Sequence, residues 1–213
     1  MAGLTIASFG LTEAEFGASE REVRVIHSHP ASHVDYMPGA ASMSIKMIVN
    51  AETDLILRAQ IVGSDGVDKR IDVLATATFA GLRASQLSDL ELAYAPQFGS
   101  AKDPVNMLGY IDRNLAIVES GSSMQWHELR GVADEPAIVD VRTPAEFAAG
   151  SIPGAVNIPL DELRRRLTQI ESSRVAIYCR VGQRGHIAVS LLRERGFDAV
   201  NLDGGYLTWA ASR

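Results

Sequence analysis

The sequence predicts two domains: an α+β unit on an antiparallel sheet, then an α/β unit whose parallel sheet carries helices on both faces. Three observations lead there. In residues 1–118 the β-patterned runs come first and helical spacing follows. In residues 126–213 short apolar strands alternate with helical segments, the pattern of repeated βα units. Between them, residues 119–125 open with Glu119-Ser-Gly-Ser-Ser123, a small-polar stretch of linker character. All three lysines precede residue 119 and every basic side chain after it is arginine, which fits two separately specified domains.

The first domain begins with a strand over residues 4–9. Thr12-Glu-Ala-Glu15 then has the form of a capping box opening a short helix. Residues 22–29 alternate like a strand. Residues 44–49 and 55–62 are two further β-runs, joined by Asn50-Ala-Glu-Thr-Asp54 as a hairpin. Residues 67–81 and 104–118 have helical spacing.

In the second domain residues 137–140 form a short strand ending in the carboxylate of Asp140. Thr143, Pro144 and Glu146 supply an N-cap, a proline at the first helical position and the glutamate of a capping box. Residues 160–170 look helical, with Leu163 and Leu167 inward and Arg164, Arg165 and Arg166 mainly solvated. Residues 175–178 are the next strand, 184–195 a helix, 199–202 a strand and 205–211 a closing helix. Trp126 and Trp209 are expected to pack at the core or its edge.

Composition narrows the function classes. A net charge of −6 leaves no basic footprint for nucleic acid. No apolar run reaches the roughly 20 residues of a membrane helix, and no secretory signal is visible, so the expectation is a cytoplasmic protein with neither nucleic acid nor membrane as partner. A single cysteine, unable to form an internal disulfide, fits a reducing compartment. His27, His29 and His33 lie close in sequence, but no cysteine or carboxylate cluster completes a ligand set, and no metal is expected.

That cysteine, Cys179, is the most informative residue. It ends an apolar β-run, and Arg180, Val181, Gly182, Gln183, Arg184 and Gly185 carry the chain into a helix. In parallel sheets ligands gather at the carboxyl ends of the strands. A loop there aims backbone N–H groups and a helix N-terminus at one point, a setting that favours an anion and a reactive thiolate. The Cys-x4-Arg ring is one residue shorter than the loop of cysteine phosphatases. It suits a persulfide sulfur better than a tetrahedral phosphate.

Asp140-Val-Arg142, Glu146-Phe147, Ile152-Pro-Gly-Ala-Val-Asn-Ile-Pro159, Cys179-Arg-Val-Gly-Gln-Arg184-Gly185 and Leu202-Asp-Gly-Gly-Tyr-Leu-Thr-Trp209 together resemble a single rhodanese domain. The resemblance implies sulfur transfer with Cys179 as nucleophile and residues 179–184 as its cradle. A persulfide or thiosulfate would be the donor and a thiol the acceptor. Arg184 would stabilise anionic donors if turned toward the loop and be a surface residue if turned away; Arg180 would face solvent and guide anions. Asp140 and Arg142 are expected to pair or to organise the loop.

The first 110 residues resemble the C-terminal dimerisation domain of pyridine nucleotide-disulfide oxidoreductases, in particular coenzyme A-disulfide reductases that carry a fused rhodanese. The segments concerned are His29-Pro-Ala-Ser-His33, Tyr36-Met-Pro-Gly-Ala40, residues 66–75 and residues 92–106. The resemblance implies a homodimer through residues 1–118, with Tyr36 and Tyr94 reaching the CoA-disulfide site of the partner subunit. No Gly-x-Gly-x-x-Gly fingerprint and no second cysteine occurs. FAD, NAD(P)H and CoA are therefore expected only in the related full-length flavoenzymes, with this chain resembling their last two domains and holding no cofactor of its own. Three readings follow: a sulfurtransferase, a dimerising scaffold that presents the rhodanese domain to a flavoprotein, and a part of a flavin-dependent reductase.

Overall fold

The computed structural model describes residues 3–11, 15, 22–117, 123–129 and 135–213. The chain divides into two compact units, Met1–Ile117 and Val118–Arg213.

The first unit holds one four-stranded antiparallel sheet. Its strands are β1 (Thr5–Gly10), β2 (Val23–Ser28), β3 (Met43–Asn50) and β4 (Ile56–Gly63), in the spatial order β1-β4-β3-β2. Period-two patterning explains the inward face: Met43, Ile45, Met47 and Val49 are buried while Ser44 is exposed. The expected β3–β4 hairpin is present. The Asn50 side chain accepts the N–H groups of Glu52 and Thr53 at 3.0 and 2.8 Å, and Asp54 takes a left-handed φ of 62° that aspartate tolerates better than most residues. Helix α1 (Val67–Phe79) and helix α2 (Pro104–Ile117) follow. Val67, Leu74 and Ala77 of α1 join Val105 and Leu108 of α2 in the core under the sheet. The capping box expected at Thr12 lies outside the described residues.

The second unit is a five-stranded parallel sheet of order β5-β9-β8-β6-β7. These strands are β5 (Ser123–Met124), β6 (Ala137–Asp140), β7 (Val156–Asn157), β8 (Arg174–Tyr178) and β9 (Asp198–Leu202), with helices α3 (Pro144–Ala148), α4 (Gln183–Arg193) and α5 (Gly205–Ala211). Alternation along β8 splits the core in two. Val175 and Ile177 meet Ala188 and Leu192 of α4 on one face, while Ala176 and Tyr178 meet Trp209 of α5 on the other.

Three local expectations need correction. Ser123 and Met124, placed in the linker by their composition, pair with Asn201 and Leu202 as an edge strand. Residues 160–170 are two short 3₁₀ turns, Leu163–Arg165 and Leu167–Gln169, rather than one helix. Arg166 sits at the break and is engaged rather than solvated: it donates to Glu162 at 2.7 Å, to Gln169 at 2.8 Å and to the Asn157 carbonyl at 3.2 Å. Among the described residues no helix is long and apolar enough to cross a membrane.

Candidate active site

Strands β6 and β8 end side by side, with Asp140 opposite Tyr178 and the Val141 N–H donating to the Tyr178 carbonyl at 3.0 Å. Cys179 leaves this edge directly, and four residues later α4 begins at Gln183. Gly182 makes the turn with a φ of 99°, a conformation only glycine adopts without strain. Its N–H then points back at the cysteine and lies 3.2 Å from Sγ.

The carbonyls of the loop are tied from outside. Tyr206 N–H donates to Cys179 O at 2.8 Å, Leu207 N–H to Arg180 O at 3.1 Å, and His186 N–H to Gly182 O at 2.9 Å. The Asn201 carboxamide adds a second donor to Gly182 O at 3.1 Å. In a trans peptide the N–H lies opposite the carbonyl. The N–H groups of Arg180, Val181 and Gln183 are therefore turned away from these donors, to the inner side of the loop. Amides turned this way suit an anion. Close approach of α5 requires Gly205, where a Cβ would lie 2.5 Å from Cys179 O.

The thiol is more enclosed than its position in the sequence suggests. Cys179 is 1% exposed and is itself a member of the apolar cluster beneath α4. Its sulfur nevertheless faces a polar group, the Gly182 amide. Arg180 and Gln183 are exposed, Val181 is half-buried, and Gly185 is buried against Asn201.

Arg184 turns to Glu146, not outward. The guanidinium donates to both carboxylate oxygens at 2.8 and 2.7 Å. These bonds, against partial burial and with help from Thr143, hold the Glu146 carboxyl down to about 2. Reciprocally, Glu146 pushes the Arg184 guanidinium further up, and the Cys179 thiol is among the smaller contributors. Glu146 also accepts the Thr143 N–H at 3.0 Å, so the expected capping box and the loop arginine share one carboxylate.

Asp140 and Arg142 pair with each other, both almost fully buried. Arg142 Nη2 donates to Asp140 Oδ2 at 2.7 Å and to the Gly150 carbonyl at 2.6 Å, and Nε reaches both carboxylate oxygens at 3.0 Å. The guanidinium also lies 4.2 Å from the centre of the Tyr206 ring. Burial opposes the charge on Arg142, yet the Asp140 bonds outweigh it and its pKa rises. Burial likewise raises that of Tyr178, whose hydroxyl accepts the Ile152 N–H at 3.1 Å. This cluster braces the sheet edge beneath the loop.

In the first unit Tyr36 and Tyr94 are brought together. Both are exposed, and the hydrogen bond to Tyr94 raises the pKa of the Tyr36 phenol. Their loops are joined by the Val34 N–H to Gly99 O bond of 3.2 Å. Arg70, 2% exposed, reaches Ser32 O at 2.8 Å and Asp103 at 3.0 Å, clamping the same two segments. Of the histidines, His33 contacts Ser32 Oγ and Pro38 O, and His29 contacts Ser44 Oγ.

Sequence reasoning missed four contributors. The roles of Glu146 toward Arg184, of Asn201 and of the Tyr206 amide depend on partners distant in sequence. Arg70 carried no motif signal, although an arginine at an inward helical position between Val67 and Leu74 is such a signal in retrospect.

Comparison with known proteins places these features in context. Residues 2–104 match the family model of the pyridine nucleotide-disulphide oxidoreductase dimerisation domain, and residues 124–212 that of the rhodanese-like domain. A coenzyme A disulfide reductase from Staphylococcus haemolyticus is 36% identical over 111 residues, 52% of this chain and 25% of that protein. The chain thus spans about a quarter of the length of this relative. The crystal structure of reduced Bacillus anthracis CoADR-RHD superposes with a TM-score of 0.92 at 43% identity, covering 98% of this chain and 38% of that one. A NAD-dependent persulfide reductase from A. fulgidus gives 0.86 at 32% identity, covering 97% and 38%.

Proposed function

Residues 2–104 belong to the pyridine nucleotide-disulphide oxidoreductase dimerisation family and residues 124–212 to the rhodanese-like family, and from that premise we propose that the chain transfers sulfane sulfur through a persulfide on Cys179. One observation carries the reading: the sole cysteine receives an amide hydrogen bond inside a loop whose carbonyls are drawn outward. The Cys179 thiolate attacks the outer sulfur of a persulfide R–S–SH. The S–S bond breaks, its electron pair leaves with RS⁻, and Cys179–S–SH remains. An acceptor thiolate then attacks that outer sulfur, and the Cys179 thiolate departs as leaving group. Sulfur changes carrier with no net oxidation. Inward N–H groups would stabilise the charge that develops on the transferred atom. Thiosulfate is the alternative donor, with sulfite leaving.

The first unit would serve as a homodimerisation module. Ile6 of β1 is exposed on the face opposite Ala7 and Phe9, which pack on the core, Leu4 just before the strand is exposed as well, and a second copy would cover them. By analogy with the coenzyme A disulfide reductase relatives and the persulfide reductase, we infer that the chain works within a flavoenzyme of that kind, in which Tyr36 and Tyr94 would face the CoA-type substrate of the partner subunit. The enclosure of Cys179 favours one rival, a non-catalytic scaffold. An assay separates the two. With glutathione persulfide as donor and dithiothreitol as acceptor, wild type should release sulfide faster than the protein-free reaction, and Cys179→Ser should not exceed that background. Equal rates for both proteins would refute the catalytic reading.

A further inference from the structure

Among the described residues, two buried side-chain atoms have no hydrogen-bond partner, and one of them, Asn201 Oδ1, lies beside the sulfur loop. A buried polar atom left unpaired is costly and calls for an explanation. Asn201 shares a strand face with Ala199, which packs into the apolar cluster beneath α4. An apolar side chain is what packing alone would place there. The carboxamide instead has one working end. Its nitrogen donates to Gly182 O at 3.1 Å, while its oxygen is pressed so close to the Cα of Gly185 that a Cβ there would lie 2.1 Å from it. The amide cannot be reversed, since two acceptor oxygens would then face each other at Gly182.

Gly182 is the residue whose N–H meets Sγ. Its other anchor is the first helical bond of α4, from His186 N–H, and the first turn of a helix is the part most prone to fray. We propose that Asn201 is a positioning residue for the sulfur-carrying loop. Its carboxamide holds the Gly182–Gln183 peptide with the carbonyl outward, and this keeps the Gly182 N–H on the sulfur and the Gln183 N–H on the inner side. Gly185 is glycine because that carboxamide occupies the space of a side chain. The inference rests on the sulfur-transfer reading for its purpose, but not for its test.

The test uses the 213-residue chain with Asn201→Leu, close in size but without polar atoms, and Asn201→Asp, which keeps Oδ1 and replaces the donor with a carboxylate. Two quantities are read: the pH midpoint of Cys179 alkylation by iodoacetamide, and the rate of persulfide formation at neutral pH. In each variant the midpoint should rise by about one pH unit and persulfide formation should slow about tenfold, with Asn201→Asp the more affected. The melting temperature of Asn201→Leu should stay near that of wild type, because the substitution also removes the unpaired oxygen. A midpoint and rate equal to wild type in both variants would overturn the proposal and leave Asn201 as packing. If no protein accepts sulfur, the sulfur-transfer reading fails, while the alkylation midpoint still decides the role of Asn201. Should Asn201→Leu not fold, the midpoint and rate of Asn201→Asp decide between the two roles.

Discussion

Replacing Glu146 tests whether one carboxylate both caps α3 and anchors the loop arginine. In Glu146→Ala the Thr143 capping box and the two bonds to Arg184 disappear together. The Thr143 hydroxyl keeps its bond from the N–H of residue 146, and loss of the reciprocal bond to the Thr143 N–H costs about 1 kcal/mol. The ion pair would be worth about 3 kcal/mol if the whole displacement of the carboxyl from 4.5 to about 2 counted toward stability. Arg184 and Glu146 keep 34% and 30% of their side-chain surface in water, so screening reduces that share to about 1 kcal/mol. A total near 2 kcal/mol lowers the melting temperature of a domain of this size by about 8–16 °C. Both tryptophans, Trp126 and Trp209, lie in the second unit, so fluorescence reports its unfolding directly. Glu146→Gln retains a capping side chain and loses the charge, and should cost about half as much. The pH dependence is a second readout. Because the folded carboxyl sits near 2, the stabilisation is complete above pH 4.5 and vanishes as pH falls toward 2. That acid slope should be absent from Glu146→Gln. Melting curves of both variants equal to wild type at pH 7 would refute the assigned role.

Asp112 is fully buried with Oδ2 unpaired, and burial with the neighbouring Asp54 raises its carboxyl to about 6 although Arg24 opposes this. The folded state therefore prefers the protonated form, and this contribution to stability, full below about pH 4, is lost as pH rises through 6. Urea unfolding of the first unit should show that decline, and Asp112→Asn should flatten it; an unchanged slope would contradict the assignment. Gly205→Ala places a Cβ 2.5 Å from Cys179 O at a φ of 61°, so it should cost about 2 kcal/mol and abolish sulfur uptake, read by tryptophan melting and mass spectrometry. Light scattering should give the mass of two chains for wild type, and Ile6→Lys on the exposed sheet face should shift it to one.

Most elements were legible because their signals are local. Thr143, Pro144 and Glu146 specify the start of α3 within four residues. The apolar-rich β-run over residues 44–49 marks β3 in the same way. Residues 160–170 misled for a physical reason: Leu160, Leu163, Leu167 and Ile170 are spaced three and four apart, which two 3₁₀ turns satisfy as well as an α-helix. The break falls at Arg166, whose guanidinium is held by Asn157 O and Glu162. At the candidate site the loop itself could be read, since strand, cysteine, glycine and helix are consecutive. Its supports could not. Glu146 lies 38 residues from Arg184 and Asn201 lies 19 from Gly182, and no periodicity links positions so far apart. The Arg24–Asp112 contact spans 88 residues and was equally hidden.

Intact-mass spectrometry of the purified chain after brief exposure to glutathione persulfide bears most directly on the central claim. Wild type should gain one sulfur atom that dithiothreitol removes, and Cys179→Ser should gain none. An unchanged wild-type mass, or the same gain in Cys179→Ser, would contradict the account.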